Sequence, residues 1–109
     1  MSSFDDRERA YESKFAHDEE LKFKATARRN KLLGRWAAEK LSLTGEEVEH
    51  YAKGVVLADL EEPGEEDVFR KLRKDFDEKG VDVSDHQIRR TMEELMVEAV
   101  RQIEEEAAK

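Results

Sequence analysis

The 109-residue chain has no cysteine, one proline, five glycines and only 7% aromatic residues. Without cysteine there is no disulfide frame, thiol nucleophile or thiolate metal site. So few chain breakers leave long stretches open to helix formation. No apolar run approaches membrane length, and no signal-peptide h-region follows Met1. The expectation is a cytoplasmic protein without direct membrane insertion. Serines and threonines are sparse, none lies in a Gly-x-Ser-x-Gly turn, and no phosphate loop with its Lys-Ser/Thr is present. His17, His50 and His86 fall in separate segments with no two-ligand spacing. The stretch from Asp75 to Gly80 starts like an EF-hand loop. It then puts Lys79 at the fifth position and His86 at the twelfth, where a bidentate glutamate belongs. These absences favour a protein that is not an enzyme, with no metal and no obligatory cofactor.

What is present is charge. Charged residues make up 44% of the chain, for a net charge of −8. Acids outnumber bases by seven to three over residues 1–20; bases outnumber acids by seven to one over 21–40; acids lead nine to one over 41–69. A nucleic-acid binder of this size would be net basic, so no nucleic-acid partner is expected.

The apolar residues are periodic, which predicts an all-α fold: a small four-helix bundle with helices at about 18–41, 44–59, 65–79 and 84–104. Asp18 is the expected N-cap of the first helix, whose core stripe is read as Leu21, Ala25, Leu32 and Trp36, with Leu33 beside it. Thr44 with Glu47, and Ser84 with Gln87, have capping-box spacing. Glu61 to Gly64 is a breaker around Pro63, Gly80 is a natural helix stop, and the tail over 105–109 is expected to fray.

Residues 1–17 read differently. Their large apolar residues are Phe4, Tyr11 and Phe15, which on a helix share an arc of about 40°. Three rings on a highly charged segment do not offset the cost of ordering it alone. The expectation is a flexible N-terminal arm, disordered or partly helical when free, that becomes a helix in a partner's groove. Phe4, Tyr11 and Phe15 are the candidate anchors. Asp5, Arg7, Glu8, Arg9, Glu12 and Lys14 surround them and can fix register through charge pairing. Leu21 does not continue the arc, so a phase break near His17–Glu20 separates arm from bundle.

The second candidate site is the basic block of the first helix: Lys24, Arg28, Arg29, Lys31, Arg35 and Trp36. It reads either as a face paired with acids of helices two and four, as a docking patch for an acidic protein, or as a weak ATP or ADP site with the base stacked on Trp36.

FDDRERA at 4–10, KFAHD at 14–18, ARRNKLLG at 27–34 and WAA at 36–38 resemble the zeta subunit of the alphaproteobacterial F-type ATP synthase. YAK at 51–53, VVLAD at 55–59, EDVFRK at 66–71 and DF at 75–76 extend the similarity over essentially the whole chain. The resemblance implies an inhibitor of ATP hydrolysis with a four-helix fold and an inhibitory N-terminus. Its implied partners are the alpha, beta and gamma subunits, on the cytosolic face of the inner membrane. The arm would enter an open alpha/beta interface near gamma, blocking hydrolytic rotation and being released in the synthesis direction. The free protein is expected to be monomeric. The runner-up is a nucleotide-sensing helical module using the basic first helix.

Overall fold

Helix-favouring sequence between well-marked stops produces four helices in the computed structural model, which describes residues 19–59 and 65–107. They are α1 (Glu19–Lys40), α2 (Glu46–Asp59), α3 (Glu66–Lys79) and α4 (Asp85–Ala107). The fold is all-α, a four-helix bundle, with no strand among the described residues. α1 packs against α2 and α4, and α3 closes the ring by touching the same two helices. Asp18 and the arm residues Phe4, Asp5, Arg7, Glu8, Arg9, Tyr11, Glu12, Lys14 and Phe15 lie outside the described residues.

The helix ends follow local chemistry. Gly80 takes a left-handed conformation (φ 68°). Its N–H bonds the Asp77 carbonyl, and the Val81 N–H bonds that of Phe76, the paired pattern that closes a helix C-terminus. α1 ends the same way on a serine: Ser42 sits at φ 63°, with Ser42 N–H to Glu39 O and Leu43 N–H to Ala38 O. At the α4 start, Ser84 Oγ accepts the Gln87 N–H at 3.1 Å, half of the expected capping box. At α2 it is the Thr44 carbonyl that accepts the Glu47 N–H, so the helix opens at Glu46.

The core joins Leu33, Ala37 and Leu41 of α1 to Val55, Val68, Phe69, Leu72, Phe76, Val83, Ile88 and Met92. The expected α1 stripe is therefore rotated. Leu33 is fully buried, whereas Leu21, Leu32 and Trp36 are half-buried. The cause is close approach of α2: a Cβ at Gly34 would stand 2.5 Å from Ala52 Cα, so small residues rather than large ones face the neighbour. α4 is helical to Ala107, and the rest of the tail expected to fray lies outside the described residues.

Candidate functional site

The basic block of α1 is divided among three environments. Arg29 is 1% exposed; its Nε donates to Asn30 Oδ1 at 2.7 Å and its Nη1 to Glu65 at 3.2 Å. Asn30 is equally buried, and its Nδ2 has no hydrogen-bond partner among the described residues. Arg35 grips Glu49 of α2 with two bonds, Nε to Oε1 at 2.9 Å and Nη2 to Oε2 at 3.2 Å. That fork holds the Glu49 carboxyl below its ordinary range. Trp36 meets Phe76 edge-on at 5.8 Å, and the Lys40 ammonium lies 6.0 Å from its ring centre.

Lys24, Arg28 and Lys31 form the third environment, on one rim of an open groove of about 690 Å³. Leu21, Phe23 and Ala27 of α1, with Val56 of α2, line its apolar part. Ile103, Glu106 and Ala107 of α4 complete it. Arg28 spans the groove, donating to Gln102 Oε1 and Glu106 Oε1, each at 2.8 Å. Lys24 pairs with Glu20 at 3.3 Å. The structure thus brings together three of the six residues singled out in this block. Arg29, Arg35 and Trp36 face elsewhere, each with partners of its own.

Phe23, Val56, Gln102 and Glu106 belong to this region and were not singled out as site residues from the sequence. Phe23 carried a readable signal: it is a large aromatic lying about 180° around the helix from the stripe expected from the sequence, Leu21, Ala25, Leu32 and Trp36. It is 62% exposed.

On α2 and α3, the Tyr51 hydroxyl donates to Asp75 Oδ2 at 2.7 Å and Lys71 Nζ reaches the same oxygen at 3.1 Å. Burial and the Asp75 carboxylate push the Tyr51 phenol well above its ordinary pKa. This is a structural clasp between helices. Among the described residues no cluster of three or more metal-ligating groups occurs, and no helix is long and apolar enough to cross a membrane.

Comparison with curated proteins finds no match. Among solved structures, a protein determined by solution NMR is 46% identical with a TM-score of 0.71. The match covers 79% of this chain and 98% of that one. A family model described as ATPase inhibitor subunit zeta aligns with residues 1–102, the arm included. With a four-helix fold and this family match over nearly its whole length, the chain belongs to the ATPase inhibitor subunit zeta family.

Proposed function

We propose that this chain inhibits ATP hydrolysis by the F-type ATP synthase by inserting its arm as a helix at an alpha/beta catalytic interface near gamma. The observation that carries this is the family match starting at residue 1, so that it includes Phe4, Tyr11 and Phe15. Among the described residues, the buried apolar side chains run from Ala25 through Ile103, so the four helices supply a core of their own.

Ordering the arm then takes place in the partner's groove, where three aligned rings and their flanking charges find contacts. Hydrolytic rotation must close that interface onto the inserted helix, which acts as a wedge. Rotation in the synthesis direction opens the interface and lets the arm leave. The chain itself would be cytoplasmic, held at the cytosolic face of the inner membrane by the alpha, beta and gamma subunits.

ATPase assays on the matched synthase test this. Full-length protein should inhibit; protein lacking residues 1–17 should not, while remaining helical. Replacing Phe4, Tyr11 and Phe15 by alanine should raise the half-inhibitory concentration at least tens-fold, each anchor being worth roughly 1–3 kcal/mol. Full inhibition by the truncated protein overturns the assignment. The groove rim of Lys24, Arg28 and Lys31 favours a second reading, weak ATP or ADP binding. Amide shifts confined to these residues at submillimolar nucleotide would support it, and their absence at millimolar nucleotide would overturn it.

A further inference from the structure

We infer that Phe23, at the near end of α1, is a second synthase contact, seated on an apolar shelf beside the site that receives the arm. This rests on the arm being the inhibitory element. Phe69 and Phe76 are buried in the core, whereas Phe23 is 62% exposed. Ala27, one helical turn on, and Val56 of α2 line the same groove, so the ring belongs to an apolar patch. Two of the groove's charges are already taken: Lys24 pairs with Glu20, and Arg28 with Glu106. The ring, rather than these charges, is what the groove offers a partner, and the surface it fits is apolar.

Chain connectivity says where that partner is. Phe23 is eight residues beyond Phe15, a reach of at most about 28 Å whatever shape the chain between them takes. Once the arm is held in the synthase, Phe23 must lie within that radius of the arm's last ring. Lys40, at the other end of α1, is about 25 Å farther along the helix axis and can stand that much farther off. The end of the bundle obliged to approach the synthase is therefore the end that carries the exposed ring. Contact there is intramolecular once the arm is seated, so it needs little affinity of its own. α1 presents the ring on a rigid helix, which lowers the cost of ordering it. The bundle alone then binds too weakly to inhibit, yet prolongs the complex when the arm is present.

Half-inhibitory concentrations in ATPase assays on the matched synthase test this with the full-length chain. Phe23→Ser, at an exposed position, should keep the wild-type thermal melt and inhibit about fivefold or more weakly. Phe23→Leu, which keeps apolar area, should stay within about twofold of wild type. Inhibition by Phe23→Ser equal to wild type overturns the inference. The tether gives an independent reading. Twenty Gly/Ser residues inserted between His17 and Asp18 should lower the effective concentration of the second contact about sixfold. Inhibition should weaken by about that factor in the wild-type background and stay unchanged in Phe23→Ser. Equal losses in both backgrounds, or none in either, overturn it. Light scattering that shows a wild-type dimer and a Phe23→Ser monomer, with inhibition unchanged, would assign the patch to a second copy instead. Full inhibition by protein lacking residues 1–17 overturns the inhibitory arm and this contact with it. Inhibition that needs the arm but ignores Phe23 overturns the second contact alone.

Discussion

An alanine at position 34 would gain about 1 kcal/mol of helix propensity, yet its Cβ would meet Ala52 Cα at 2.5 Å and Ala52 Cβ at 3.0 Å. The near atom is backbone, so α2 itself must move, and overpacking of this kind costs about 1–3 kcal/mol. Gly34→Ala should therefore lower Tm in a circular-dichroism melt; a raised Tm would contradict the close approach. Ser42 presents the opposite case. Its φ of 63° costs an L-residue roughly 1–2 kcal/mol, and glycine removes that strain while adding some unfolded-state entropy. Ser42→Gly should raise Tm by a few degrees, and a fall would show that the serine side chain contributes something the hydrogen bonds do not reveal. The adjacent arginines divide sharply. Removing the Arg29 side chain empties a buried site beside Asn30 and the exposed Glu65 and should cost about 2–5 kcal/mol in denaturant unfolding through the cavity it leaves. Arg28→Ala, at a partly exposed pair, should cost about 1 kcal/mol or less.

At the level of elements, all four helices and the Gly80 stop were legible, because apolar period and breakers act locally. The rotation of α1 was not. Periodicity weights large residues, whereas α1 lies between two neighbours that select Gly34, Ala37 and Ala38 for close approach, beside Ala25, which was read as core. The burial of Arg29 was hidden for a related reason: composition marks a charge as surface, and only the tertiary arrangement brings Glu65 to it. Half of the basic block was legible as one patch, since Lys24, Arg28 and Lys31 share a helix face; the α4 side of the groove comes from far along the chain. Within α4, Glu98 accepts hydrogen bonds from Arg101 and Gln102, which hold its carboxyl down at about 2 against an ordinary value of 4.5. A folded pKa below the unfolded one means the contribution is present above about pH 4.5 and is lost as pH falls toward 2. Wild-type protein should thus lose more stability than Glu98→Gln between pH 5 and pH 2.5, read from parallel thermal melts. Equal losses would show that the cluster does not form in solution.

Across the molecule, each seam of the bundle carries a polar clasp: Arg35–Glu49 joins α1 to α2, Tyr51–Asp75 joins α2 to α3, Arg89–Glu66 joins α3 to α4, and Arg28–Glu106 joins α4 to α1. These contacts fix which helix faces which, but the three ion pairs among them are largely exposed, contribute little to stability, and contribute less at high salt. The apolar centre is of another magnitude. Leu33 is fully buried among residues of the core cluster, and its truncation to alanine should cost about 2–5 kcal/mol. Salt separates the two contributions, because it screens charges while leaving apolar burial intact or strengthened. Raising sodium chloride from 0.05 to 1 M should shift Tm by less than Leu33→Ala does at fixed salt. A larger loss in salt would mean that the charged seams, rather than the apolar interior, hold together the platform from which the arm works.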